Sequence, residues 1–291
     1  MSFAPVERRG GTTAERLRGA MLVLPAVLVT LFVVAGGVIA TMLQAFGLMP
    51  IAGPVAPSLD AFLAHPRDLG AAIVVSVAIA TVSTSIAVVV GTAAAVVIVS
   101  SRAGSRLVAA LGATTVTVPH LVGAATIGLL LSDAGVLPRL LGIAPEAWPA
   151  WVGGPLWGAV IAEFAWKESA FVALVVTGTL ATRVATYDET AALLGAGRWR
   201  RFRHVLLPLT TPSIVICAAL SFVYALGSYE VSWLLGRTYP EPLPVLAVRL
   251  FQGVSLASRP EAAAVAIITS AIALVFVACT FMALRRTAVW R

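Results

Sequence analysis

RVATYDETAALLGAGRWRRFRHVLLPLTTPSI, residues 183–214, carries a polar, arginine-rich passage out of one long apolar run and into the next. Asp188 and Glu189 stand where carboxylates favour a helix N-terminus. Ala191, Ala192, Leu193 and Leu194 are good helix formers. Gly195 and Gly197 then permit a sharp turn. Arg198, Arg200, Arg201 and Arg203 follow, interleaved with Trp199 and Phe202, and Pro208 and Pro212 mark entry into the next apolar run. The passage predicts a short helix, a glycine break and a second, basic helix.

What flanks this passage decides the fold class. The 291 residues are 59% hydrophobic and only 11% charged. A soluble domain carries roughly 25% charged residues, so this chain cannot cover itself with a water-compatible surface. Its mean hydropathy is +0.97. A helix spanning the bilayer needs about 20 apolar residues. Runs of that length predict an all-α polytopic membrane protein with about six transmembrane helices, near 20–46, 70–99, 106–132, 155–181, 207–235 and 261–284. The first run is too long for a signal-peptide core and lacks a clean cleavage site, so it reads as a retained helix. The segments 47–69, 133–154 and 236–260 hold the turn-forming prolines and leave no room for a second, soluble domain; 1–291 reads as a single transmembrane domain. Trp148 and Trp151 read as interfacial anchors.

Basic residues give the orientation. With the N-terminus in the cytoplasm, the inner segments hold Arg8, Arg9, Arg16, Arg18, Arg102, Arg106, Arg183, Arg198, Arg200, Arg201, Arg203, Arg285, Arg286 and Arg291, which is 14 of 20. The outer segments hold Arg67, Arg139, Arg237, Arg249 and Arg259, which is 5, and Lys167 lies within a helix. The bias puts both termini in the cytoplasm. The formal charge of +7 therefore reads as topology and lipid headgroup contact, not nucleic acid. Cys217 and Cys279 lie in apolar runs, and His65, His120 and His204 are far apart, so neither a disulfide nor a zinc site is expected. A P-loop needs Gly-x-x-x-x-Gly-Lys-Ser/Thr. The single lysine, Lys167, follows Phe164, Ala165 and Trp166, so that motif is absent, and no catalytic constellation replaces it.

The string Glu189-Thr190-Ala191-Ala192-Leu193-Leu194-Gly195-Ala196, then Phe202, then Val205-Leu206-Leu207-Pro208, resembles the cytoplasmic loop of permease subunits of binding-protein-dependent ATP-binding-cassette importers. That loop reads E-A-A-x-x-x-G, about nine residues, then hydrophobic-x-L-P; Thr190 is the one departure. The resemblance covers about residue 70 to the C-terminus, core helices 70–284. It implies a type I importer permease fold in the bacterial inner membrane, with 183–204 as a coupling loop docking on a cytoplasmic ATPase subunit. Glu189, Ala191, Leu193, Leu194, Gly195, Ala196, Arg198, Phe202 and Pro208 are then the docking residues: small side chains for close approach, leucines and phenylalanine as anchors, Glu189 to pair or cap. The implied partners are two ATP-binding subunits, a second permease, identical or homologous, an extracytoplasmic binding protein and membrane lipid. ATP and magnesium would be used by the partner, with no cofactor in this chain. The competing reading of 183–204 is an interfacial helix held to lipid phosphates by its arginines.

Charges within spanning helices usually face the protein interior or a water-filled cavity. Glu163, Lys167 and Glu168 share one predicted span; Glu163 and Lys167 are four apart and can pair. They read either as a neutralised structural pair or as a polar wall of a translocation path. Trp166 to Phe171 resembles the family's Trp-x-x-x-Pro-Phe pattern without its proline. GSYEVSWLLG, residues 227–236, resembles a string in permeases of the spermidine/putrescine type and its relatives, which leans toward a polyamine-like or other small polar solute. His120, which follows the kink-forming Pro119 and is placed to bond a freed carbonyl or line a cavity, joins Tyr224, Ser228, Tyr229 and Glu230 as candidate pathway residues. The rival readings are an ion-gradient-driven secondary transporter, which often shows inverted repeats, and a membrane-embedded enzyme, which needs clustered catalytic side chains.

Overall fold

Helices joined by turns account for the whole secondary structure of the computed structural model, which describes residues 13–51, 54–100, 104–181 and 185–286; there is no strand among them. Arg8, Arg9, Arg102, Arg183 and Arg291 of the topology count lie outside the described residues, as does the side chain of Glu189.

The long helices are α1 (Thr13–Ala45), α3 (Pro66–Ser100), α7 (Gly158–Thr179), α10 (Leu207–Gly227) and α13 (Arg259–Arg286). Between them lie α2 (Asp60–Leu63), α4 (Ser105–Thr117), α5 (His120–Leu131), α6 (Val136–Leu141), α8 (Ala185–Leu193), α9 (Arg198–Arg201), α11 (Glu230–Leu235) and α12 (Leu243–Gln252). Among the described residues five stretches are long and apolar enough to cross a membrane: Gly19–Ala45, Pro66–Val99, His120–Leu141, Arg198–Gly227 and Leu256–Arg285. With 22 residues, α7 is about 33 Å long at 1.5 Å per residue, enough for a hydrocarbon core of roughly 30 Å. It differs from the other five in burying Glu163, Lys167 and Glu168. Counting it gives the six spans that the sequence predicts.

Packing centres on α7. Its seam with α3 is the most extensive in the chain, and small residues let the backbones close in. A Cβ at Gly91 would stand 2.5 Å from the carbonyl oxygen of Ser169 and 2.6 Å from Cβ of Val172. One core layer gathers Ile79, Val160, Phe164, Phe222 and Leu226, with Phe222 stacked on Phe276 at 3.7 Å between centroids. A second, toward the α8 end, gathers Ala95, Val172, Val176, Leu180 and Cys217. Against this, most of α1 is uncovered: its C-terminal end packs on α13 through Ala45, Ala263 and Ala264, but none of its most apolar window is buried, and Leu22 and Phe32 are 83% and 81% exposed.

The structure differs locally from the sequence reading at four places, three of them with a cause in proline. The predicted helix 106–132 is two helices, α4 and α5, because Pro119 has no N–H to donate and Val118 turns extended before it. The predicted helix 207–235 breaks at Ser228 into α10 and α11. It also begins nine residues early: α9 runs through a wide π-turn, Phe202–Leu206, into α10 as one 30-residue helix, Arg198–Gly227. Pro208 cannot donate to the His204 carbonyl, and the Leu207 N–H reaches back five residues to Phe202 instead. Within the proline-rich segment 236–260 sits α12. Pro244 falls in its first turn, where a missing N–H costs nothing. Leu243, Leu246 and Leu250 form one buried face against Ala72, Ala262 and Val265. The Leu243 N–H donates to Ser76 Oγ at 2.7 Å, and Tyr239 donates to Asp68 at 3.1 Å. That bond to the carboxylate holds the Tyr239 phenol above its ordinary pKa.

Candidate functional site

Two regions hold the residues singled out by sequence. The first is the turn between α8 and α9. The α8 helix ends in a Schellman arrangement: the Gly195 N–H donates to Ala192 O at 3.0 Å and the Ala196 N–H to Ala191 O at 3.0 Å. Gly195 takes φ +81°, which L side chains rarely adopt. Arg201 Nη1 donates to Asp188 Oδ2 at 2.7 Å and ties α9 back to α8. The two helices so joined raise an apolar tip. Leu193 is 89% exposed, Leu194 83% and Trp199 69%, with Trp199 stacked on Phe202 at 5.6 Å. Arg198 is exposed, while Ala191, Ala196 and Phe202 are half-buried; Pro208 is exposed on the helix behind the turn. Glu189 lies on α8.

The second region is the charged face of α7. His120 opens α5, with Nδ1 3.1 Å from Glu163 Oε1 and Nε2 3.6 Å from Glu168 Oε1. Glu163 is fully buried. It fits beneath α5 because Gly123 leaves room; a Cβ there would stand 2.9 Å from Oε1. Ser221 on α10 donates to Glu168 Oε2 at 2.5 Å. Lys167 does not pair with Glu163 as its spacing allows. Its Nζ donates to Thr115 O at 2.6 Å and to Val118 O, the carbonyls at the α4–α5 break. An ammonium with three donors serves the carbonyls at the proline break, Thr115 O in addition to its 3.3 Å bond from the Val118 N–H, and the imidazole serves the carboxylates. The expected carbonyl bond therefore belongs to Lys167, and His120 turns to Glu163 instead.

An open cavity of about 360 Å³ lies over this face, lined by Val116, His120, Lys167, Glu168, Phe171, Leu220 and Tyr224. Tyr224 packs its ring 4.5 Å from that of His120. Ser228 and Glu230 flank the α10–α11 break, Ser228 buried and Glu230 exposed. Tyr229 lines a separate cavity of about 440 Å³ with Trp233, Arg237, Arg249 and Gln252. The structure thus gathers His120, Glu163, Lys167, Glu168 and Tyr224, with Ser228 beside Tyr224 at the end of α10, while Tyr229 lines the separate cavity and Glu230 opens α11. Sequence reasoning missed Ser221, and it named one freed carbonyl at Pro119 without giving it to Lys167. A serine in an apolar helix usually bonds its own backbone, so Ser221 gave no signal; Pro119 did signal the carbonyls. Among the described residues no group of three or more His, Cys, Asp or Glu side chains is arranged to hold a metal ion.

Residues 87–287, more than two thirds of the chain, match the family described as binding-protein-dependent transport system inner membrane component. The chain belongs to this family. It is a multi-pass protein of the inner membrane. Curated relatives of this inner-membrane component include a sulfoquinovosyl glycerol transport system permease protein of Agrobacterium fabrum, 33% identical over 29% of this chain and 28% of the relative. A putative 2-aminoethylphosphonate transport system permease protein of Salmonella choleraesuis is 32% identical over 49% of this chain and 51% of the relative. A molybdenum transport system permease protein of Escherichia coli is 32% identical over 25% and 36%. The chain thus matches about a quarter to a half of these relatives' lengths. Its fold is that of a chain in a bacterial ABC transporter involved in the import of the acidic polysaccharide alginate, with TM-score 0.75, 21% identity and coverage of 94% and 97%.

Proposed function

We propose that this inner-membrane component is the channel-forming permease subunit of an ATP-driven importer and docks on an ATP-binding subunit through the α8–α9 turn. The observation that carries the reading is the uncovered tip of Leu193, Leu194 and Trp199 on a turn fixed by Gly195 and the Asp188–Arg201 pair. Water-exposed leucines on a membrane protein's polar loop suit a protein partner. A second permease, a second ATP-binding subunit and an extracytoplasmic binding protein complete the assembly; the alginate importer, crystallised with a pentasaccharide-bound periplasmic protein, offers the analogy. The chain itself is not an enzyme: ATP and magnesium belong to the partner. Both termini face the cytoplasm. His120, Lys167, Glu168 and Tyr224 wall the path, and Ser228, Tyr229 and Glu230 stand near its outer mouth.

The solute is small and polar. The fifth-span string GSYEVSWLLG favours a polyamine-like molecule, while the relatives named for a sulfoquinovosyl glycerol, a phosphonate and molybdenum widen the class to polar anions and zwitterions. Uptake of labelled putrescine, 2-aminoethylphosphonate and molybdate by cells with and without the chain tests this. At least one uptake is expected to need the chain, to stop on ATP depletion, and to survive collapse of the proton gradient. Uptake that follows the gradient instead would make the chain a secondary transporter.

A further inference from the structure

We propose that the charged face of α7 is a clamp on the broken α4–α5 helix, with Lys167 as the positioning residue that holds the break. Helical geometry would pair the Thr115 carbonyl with the N–H of residue 119, and that residue is proline, so the carbonyl keeps a long 3.3 Å bond from the Val118 N–H and room for a second donor. Val118 and Pro119 are both extended, so the Val118 carbonyl leaves the helical pattern as well. Within a bilayer such groups must find a partner in the protein. The Lys167 ammonium takes both. On the other lip of the break, His120 is held by Glu163 and faces Glu168, which is tied to α10 through Ser221.

One face of α7 therefore grips the end of α4, the start of α5 and the side of α10. The gripping groups are closely packed, with Glu163 0%, Lys167 5% and Glu168 8% exposed, and Lys167 and Glu168 show only an edge to the cavity they line. They are framework first and wall second, which separates the two roles that the i,i+4 spacing left open. The clamp also has a place in the cycle, a step that rests on the importer reading. The α8–α9 turn comes after α7 in sequence, and in this cycle a push on the turn is passed to α7 and through this face to the α4–α5 break. In this role Lys167 sets geometry and does not bind solute.

A double-mutant cycle between Lys167 and Pro119 tests the clamp. Alanine at 119 supplies the i+4 N–H that proline withholds from Thr115, whose carbonyl otherwise accepts from the Val118 N–H at 3.3 Å and from Lys167, so Lys167 is needed less. The tagged chain is purified with its partners from native membrane, and recovery of the ATP-binding subunit, ATP hydrolysis per complex and thermal unfolding are measured. For Lys167→Met the expected result is unchanged subunit recovery with hydrolysis at least tenfold lower. Lys167→Arg is expected to keep most of the parent rate. In the Pro119→Ala background the loss from Lys167→Met is expected to shrink below threefold, and its drop in melting temperature to shrink likewise. Equal losses in both backgrounds, or a Lys167→Met complex hydrolysing at the parent rate, would overturn the proposal. If the parent brings down no ATP-binding subunit, the importer reading fails. The clamp is then decided by the melting temperatures alone, which need no partner.

Discussion

Gly91 and Gly123 mark where α7 is approached most closely. At Gly91 an added methyl meets the Ser169 carbonyl and the Val172 side chain, both fixed on α7. Gly91→Ala is expected to cost about 1–3 kcal/mol, the usual price of overpacking, and to show as a lower melting temperature in detergent. Gly123→Ala crowds a carboxylate oxygen instead and is expected to disturb the His120–Glu163 contact, so it should lower uptake more than it lowers stability. The charged residues of this site were legible one by one, because glutamates and a lysine in an apolar run announce themselves. Their pairing was not. Spacing offered Lys167 to Glu163, and only the fold brought the open carbonyls of α4 within its reach.

Elements were legible where apolar length decides and obscure where proline does. The long spans follow from composition, and most of their ends fall within a few residues of expectation; the exceptions are the third, expected at 106–132 and found at His120–Leu141, and the fifth, expected at 207–235 and found at Arg198–Gly227, reaching back through the arginine-rich passage. Pro119 was read as a kink and proves to be a full break. The prolines of 236–260 were read as turn residues, yet Leu243, Leu246 and Leu250 already carried the i, i+3, i+7 face of α12. The turn between α8 and α9 was predicted from its glycines, and its exposed leucines give it a testable role. Gly195→Ala places a side chain at φ +81° and is expected to cost roughly 1–2 kcal/mol. It should weaken recovery of an ATP-binding subunit without removing the chain from the membrane. Leu194→Arg leaves the turn geometry alone and charges the tip, so it is expected to abolish that recovery.

Across the whole molecule, three features call for company. An α1 with no buried window suits lipid or a second permease. The cavity over α7 lies open on one side, and the α8–α9 tip is uncovered. The orientation proposed from the arginine bias is testable: with the native cysteines removed, Ser58→Cys is expected to react with a membrane-impermeant maleimide added to intact cells, and Gly197→Cys is not. The reverse pattern would invert the topology. The most direct measurement is affinity copurification of the tagged chain from its native membrane, with parent, Glu189→Arg and Gly195→Arg compared by mass spectrometry of the eluates. The account predicts an ATP-binding subunit and a second permease chain with the parent, and loss of the ATP-binding subunit with either variant. A parent chain recovered alone, and still moving solute into vesicles without ATP, would contradict it.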